Sequence, residues 1–377
     1  MNSRNNKIMM TNEWYTVDDA NSIDSPALLV YKDRVEENIR LLKSIVKDVR
    51  ILRPHVKTNK MAEVCSMMLK EGITKFKCAT IAEAEMLATV GAPDVLLAYQ
   101  PVGPKAERFA NLIKAYPSVH FACLTDNEAS AKHISGVAEG NGIVINVFID
   151  LNIGMNRTGI VPEKALRLVA FILSLKHIKL VGLHGYDGHI RDTDTTIRQQ
   201  KSDQGFQQVA TLQQKIEETH HYPLKIVMGG TPTFPTHAHR LNVECSPGTF
   251  VFTDWGYKHS FPDEPFEYAA LVITRVISII DEHTVCTDLG HKSVAAENPL
   301  PRVHFLNAPD VVPIAQSEEH LVLRVANAAH YHIGDILYGV PVHICPTVAL
   351  YDKAYIVENK KNLTEWKVVA RKRSINF

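Results

Sequence analysis

The feature that most narrows the folds open to this chain is a regular alternation of short apolar runs with longer amphipathic ones, kept up almost to residue 254. Runs of strand length lie at 51–56, 74–79, 94–99, 118–124, 143–150, 178–185, 224–228 and 242–245. Between them, helical spacing of apolar residues is clearest at 62–70, 81–90, 104–115, 126–138, 162–175 and 196–219. The short runs are apolar on both faces, which suits strands covered by other elements rather than strands with one wet side. About eight such repeats over roughly 200 residues describe a (β/α)8 TIM barrel better than the competing open doubly wound sheet. A strand at Ala27–Tyr31 and a helix at Asp33–Val49 precede the repeat, and residues 1–25 read as a loose arm ending in the turn residues Asp24-Ser25-Pro26.

After Asp254 the pattern changes to β-rich segments broken by Gly, Pro and Asn, at 268–280, 283–288, 320–325, 336–342 and 364–370. These predict a C-terminal, mostly antiparallel β domain. The expected division is a barrel over 26–254 and a β domain over 255–377, with residues 1–25 added to it; the strand at 27–31 is a candidate for the same sheet. A chain of 377 residues accommodates two such units. Lys plus Arg and Asp plus Glu both number 41, so no net charge favours nucleic acid or an anionic membrane as a partner. No apolar run reaches spanning length, and Met1–Asn12 is too polar for a signal peptide. The six cysteines are scattered without CxxC spacing, which points to a reducing, cytoplasmic setting rather than a disulfide framework.

Four segments carry polar residues where strands end. Ile51–Lys60 reads as a strand running into a loop with Lys57, and barrels hold ligands at that end of their strands. Arg53 and His55 are neighbours able to lower the pKa of a nucleophilic Lys57 by like charge and desolvation, while Lys60 is expected to be solvated. From spacing alone, an ordinary surface charge is the simpler reading of Lys57. Asn146–Gly159 ends in a loop with Arg157, whose planar fork suits a cofactor oxygen or a substrate carboxylate as readily as a structural ion pair. Leu183–His189 places Tyr186 among small residues at another strand end. Met228–Thr233 and Glu244–Phe250, after the seventh and eighth predicted strands, bring Gly229, Gly230, Thr231, Gly248 and Thr249 to the place where barrels bind phosphate through backbone N–H groups. In the β domain, His343 and Cys345 lie two apart and would share one face of an extended strand, where both could reach one metal ion; two ligands do not by themselves make a site.

The word Arg-Pro-His-x-Lys-Thr at 53–58 resembles the cofactor-lysine motif of the D-threonine aldolase and D-serine dehydratase family, pyridoxal-phosphate enzymes of the alanine-racemase fold type, or fold type III. The resemblance extends from Arg53 to Thr347. It implies that Lys57 carries the cofactor as a Schiff base, with His55 beside it in the motif, that Arg157 meets the cofactor's phenolic oxygen and that Tyr186 lies near the pyridine ring. It also implies that the two glycine segments form the phosphate cup. Asn152 stands where the family has aspartate, and Phe250 where tyrosine is common. A divalent metal, zinc or else manganese, is implied at His343 and Cys345. The thiolate donor tips the expected reaction toward D-serine dehydration, giving a keto acid and ammonia, with D-threonine-type aldol cleavage to glycine and an aldehyde, or racemisation, as alternatives. A D-amino acid is the implied substrate and a homodimer the implied assembly.

Overall fold

In the computed structural model, which describes residues 13–377, the chain forms two compact units. The first contains the described chain up to Val35, Asp254–Gly256 and Tyr268–Lys367; the second contains Glu36–Thr253, Tyr257–Glu267 and Val368–Phe377. The division therefore falls elsewhere than the expected 26–254 and 255–377. The physical reason at the start is pairing: strand β1 (Ala27–Tyr31) lies antiparallel to β9 (Ala270–Asp281) and parallel to β15 (Lys353–Glu358). At the end, residues 368–377 return to the second unit, where Asn376 bonds the buried Glu85 and Arg108 bonds the Phe377 carbonyl.

The second unit is built on seven parallel strands in sequence order, β2 (Lys75–Cys78), β3 (Asp94–Leu97), β4 (His120–Thr125), β5 (Ile145–Leu151), β6 (Ile178–Gly185), β7 (Lys225–Met228) and β8 (Val243–Cys245). Helices α2 (Ala62–Lys70), α3 (Ile81–Thr89), α4 (Pro104–Ala115), α5 (Glu128–Gly140), α6 (Pro162–Ser174) and α7 (Thr195–His220) alternate with them, after α1 (Lys32–Ile45). Local chemistry sets where these helices start. Thr80, Asn127 and Asp194 each accept a hydrogen bond from a backbone N–H of the turn they cap, and Pro104 and Pro162 occupy first-turn positions where no N–H is needed.

The expected strand at 51–56 is not regular. A short 3-10 turn occupies Val49–Ile51, and the following residues make isolated parallel bridges, Leu52 to Cys245 and His55 to Lys77. Pro54 has no N–H to give a ladder, so the segment bonds to its two neighbours in turn. Arg53 N–H reaches Cys245 O at 2.8 Å and His55 N–H reaches Pro247 O at 2.9 Å on one side; on the other, Val56 N–H reaches Lys77 O and Lys77 N–H reaches Pro54 O, both at 2.9 Å. The parallel barrel is thus closed, but is one regular strand short of complete. The buried Arg53 clasps that closure, bonding Glu244 of β8 at 2.6 Å and Asp94 of β3 at 2.7 Å.

The first unit is a nine-stranded, mainly antiparallel sheet in the order β12 (Val312–Gln316), β13 (Leu321–Arg324), β10 (Thr284–Thr287), β9, β1, β15 and β16 (Lys361–Lys367), with β14 (Ile336–Pro341) joining β9 to β11 (Val303–Phe305). Residues 1–12 of the expected loose arm lie outside the described residues. The rest of the arm is not loose: Tyr15, Val17, Ala20 and Ile23 are buried with Leu29, Tyr31 and Leu271, and the Tyr31 hydroxyl donates to Tyr15 O at 2.6 Å. The aromatic content of this stretch supplies the apolar area that holds it down. Among the described residues no helix is long and apolar enough to cross a membrane, and all six cysteines are free.

Candidate active site

At the carboxyl ends of the barrel strands, three of the expected residues meet around one aromatic ring. Tyr186, just past β6, has the Lys57 Nζ at 5.9 Å from its ring centroid and the Arg157 guanidinium carbon at 5.2 Å. Lys57 is half-buried, and its N–H donates to His55 Nδ1 at 3.2 Å, so the histidine shapes the loop that presents the lysine. His55 is held well below its ordinary pKa, first by burial and then by the charges of Lys57, Lys77 and Lys60. The Arg157 loop owes its course to Asn152, whose Oδ1 accepts from Gly154 N at 3.2 Å and Asn156 N at 3.1 Å, as an aspartate there would. Gly154 sits at φ +124°, and a Cβ on it would lie 2.5 Å from His189 Nε2.

The two glycine segments also come together. The N–H groups of Gly248 and Thr249 both donate to Thr231 Oγ1 at 3.1 Å, which sets two backbone donors converging on a single oxygen position. Such a pair of N–H groups is an anion nest, and a phosphate oxygen is a stronger acceptor there than a hydroxyl. Gly230 borders the Tyr186 ring, with a Cβ on it 3.4 Å from the ring, and a Cβ on Gly248 would come within 2.9 Å of His55 O. The loop is underpinned by Asp187, which bonds the Gly230 N–H at 3.4 Å and His237 at 2.8 Å. An amine, an arginine, an aromatic ring and a converging pair of N–H donors at one end of a barrel fit pyridoxal phosphate in the kind of groups they offer. A separate cavity of about 1180 Å³, lined by Asp48, Lys75, Lys225 and Glu244, lies at the strand starts and includes none of these residues.

Two expectations need correction here. Lys60 is not solvated: its φ of 53° turns it back to form an ion pair with the fully buried Glu83. Arg53 is spent on Glu244 and Asp94, as described above. The charge that sequence reading missed is Lys77. It is buried on β2, its Nζ lies 5.5 Å from the Tyr186 ring centroid and 3.4 Å from His184 Nε2, and His184 Nδ1 is 2.8 Å from Asp150. Asp150 also accepts from Thr158 at 2.8 Å and Gln100 at 3.0 Å. The signal was present in Lys75-Phe76-Lys77-Cys78: two lysines at alternate positions of a strand expected to be covered on both faces.

In the sheet unit, His343 and Cys345 are not on one strand face. β14 ends at Pro341, and His343 precedes a short helix, Ile344–Val348, whose first N–H is capped by Asp254. The two side chains are nevertheless hydrogen-bonded to each other, and Glu297 bonds His343 Nδ1. Burial works against a charge on His343, but Cys345, Glu297 and Asp254 outweigh it and raise its pKa to about 9. Among the described residues no group of three or more His, Cys, Asp or Glu side chains is arranged to hold a metal ion. The pair offers donor types that zinc takes, and only two of them.

Comparison with known proteins bears on these arrangements. The family profile described as "Alanine racemase, N-terminal domain" matches residues 30–254, and that described as "Putative serine dehydratase domain" matches residues 269–357. A 3-hydroxy-D-aspartate aldolase of Paracoccus denitrificans is 28% identical, covering 94% of this chain and 93% of its own. A D-threonine aldolase of an Arthrobacter species is 26% identical, with 93% of each chain covered. The crystal structure of a D-threonine aldolase from Filomicrobium marinum superposes with a TM-score of 0.84 at 26% identity, covering 93% of this chain and 96% of its own.

Proposed function

Since the chain belongs to the alanine-racemase-fold family of pyridoxal-phosphate enzymes, in the group related to D-threonine aldolase, D-serine dehydratase and 3-hydroxyaspartate aldolase, we propose that it cleaves D-β-hydroxy amino acids to glycine and an aldehyde. The family is one of enzymes acting on D-amino and D-hydroxy amino acids. The observation that carries the reading is the convergence of Lys57 and Arg157 on the Tyr186 ring beside the Gly248–Thr249 donor pair. The choice of aldol cleavage rests on the full-length aldolase relatives. It replaces the sequence-based preference for dehydration, which leaned on a single thiolate.

When bound, pyridoxal phosphate supplies an aldehyde that captures an amino group and a ring that takes up electrons released at Cα. The chain's own residues would do the rest. Gly248 and Thr249 would bind the phosphate through their N–H groups and Thr231 through its hydroxyl, on loops that Gly229 and Gly230 shape. Arg157 would orient the cofactor by donating to its phenolic oxygen, and Tyr186 would cover one edge of the pocket. Lys57 would hold the cofactor and would be the amine that moves a proton at the substrate's Cα. The overall change balances as loss of the β-hydroxyl proton, breakage of the Cα–Cβ bond to leave an aldehyde, and gain of one proton at Cα to give glycine.

His343 and Cys345 would hold a divalent metal, with water or substrate filling the positions the protein leaves open, and the metal would polarise a hydroxyl as a Lewis acid. A second reading, D-serine dehydration, is favoured by Cys345 as a donor and by the profile match over 269–357. We also propose that the active assembly is a homodimer and that it works in the cytoplasm. The test is to incubate the cofactor-loaded protein, with zinc, manganese or chelator, with D-threonine, D-3-hydroxyaspartate and D-serine. Glycine with aldehyde supports the proposal. Keto acid and ammonia from D-serine alone would replace it by dehydration, and solvent deuterium entering substrate without product, unaffected by chelator, would replace it by racemisation.

A further inference from the structure

We propose that Lys77 is a second amine of the cofactor pocket, a positioning residue presented from inside the barrel beside Lys57 and braced there by the His184–Asp150 pair. The inference rests on the reading of Lys57 as the cofactor lysine. Its geometry comes from strand alternation: Lys75 and Lys77 share one side of β2, but Lys75 is matched by Glu244 at 2.5 Å whereas Lys77 has no carboxylate in bonding contact among the described residues. A buried lysine is ordinarily paired, so one held against an imidazole marks a place where a charge is put to use.

The neighbouring bonds fix which way protons point. His184 is kept below its ordinary pKa by burial and by Lys77, against the pull of Asp150, so it is neutral near pH 7. Its Nδ1–H donates to Asp150, which leaves Nε2 as the acceptor for Lys77, whether that amine carries two or three protons. Asp150 is in turn kept ionised, burial notwithstanding, by His184, Thr158 and Gln100. The charged and titratable groups around Lys77 are Lys57, Arg53 and His55 from the closing segment, Asp150 and His184 from β5 and β6, Asp187 and Tyr186 from the loop after β6, and Cys245 of β8. Burial first, then Lys57, lower Lys77 to about 7, with Asp187 and Asp150 opposing. Lys77 therefore changes charge in the neutral range, on the same aromatic ring that Lys57 and Arg157 approach.

Two measurements test this without relying on turnover. In the purified chain with carbon-13-labelled lysine side chains, one lysine signal should titrate near pH 7. It should be absent in Lys77→Met and move to higher pH in Lys57→Ala, where a like charge has gone. In the cofactor-loaded enzyme, Lys77→Met should keep the cofactor absorbance band but lose a pH-dependent spectral step that the loaded wild type shows, and Lys77→Arg, charged throughout, should lose the same step. A wild-type chain in which no lysine titrates below about pH 9, or a spectral step unchanged in either Lys77 variant, overturns the proposal. Should Lys77→Met fail to fold, the wild-type titration and Lys77→Arg still decide. Retention of the cofactor band in Lys57→Ala would instead overturn the reading of Lys57, leaving the lysine titration to judge Lys77 separately.

Discussion

Single positions carry the recognition of this site, and most of them are legible because their chemistry leaves few substitutes. Lys57 is one: Lys57→Ala should abolish the absorbance band of the bound cofactor and lower turnover by at least about a thousandfold, near the scale seen when a nucleophile is removed. Spectra and steady-state rates of the loaded variant check this. Gly229 is another. Its φ of +81° is a conformation that side chains resist, and an added Cβ would meet the buried His237 ring at 3.0 Å. Gly229→Ala should therefore lower stability by about 1–2 kcal/mol and weaken cofactor binding, as read by denaturant melts and by titration of the apoprotein with pyridoxal phosphate. Lys77 was less legible than either. A lysine in a strand is unremarkable until the neighbouring strands show that, among the described residues, no carboxylate is in bonding contact with it.

Elements were read best where local signals agreed with packing. The helices Ala62–Lys70 and Pro104–Ala115 and the strand Ile178–Gly185 have the bounds that their apolar spacing, proline placement and flanking turns suggest. The failure at 51–56 is equally physical. The apolar run is real, but Pro54 removes a donor, so the chain closes the barrel by isolated bridges and by the Arg53 clasp instead of a ladder. That clasp gives a prediction at this scale. Arg53→Ala leaves Glu244 and Asp94 without their buried partner and should destabilise the barrel by roughly 3–5 kcal/mol. Hydrogen exchange of the β2 and β8 amides would rise together if the closure depends on it. His343 and Cys345 show the complementary limit: strand periodicity stops at Pro341, a helix starts just beyond it, and the two side chains meet there through a short turn.

For the whole molecule, buried titratable groups link folding to pH, and Lys77 is one of them. The folded-state value of Lys77, about 7, lies below its ordinary 10.5, so between those limits the unfolded chain holds a proton that the folded chain lacks. Stability from this group therefore rises with pH through that window, and its penalty is fully present below about pH 7. Lys77→Met should raise stability by roughly 3–5 kcal/mol at pH 6, with the gain shrinking toward zero near pH 10. Chemical denaturation of the wild type and variant at the two pH values measures it. A gain that did not depend on pH would mean that packing, and not charge, is what changes.

The order of strands and helices, the change to β-rich texture near Asp254 and the motif residues from His55 to Thr249 follow from the sequence itself, because periodicity, turn residues and short motifs are properties of neighbours along the chain. The tertiary structure alone decided which distant residues face one another. It bonded β1 to β9, returned the last residues to the barrel unit, withdrew Arg53 into a clasp and set Lys77 against His184. Those outcomes depend on burial and on electrostatic pairing across the barrel, and no window along the chain contains both partners.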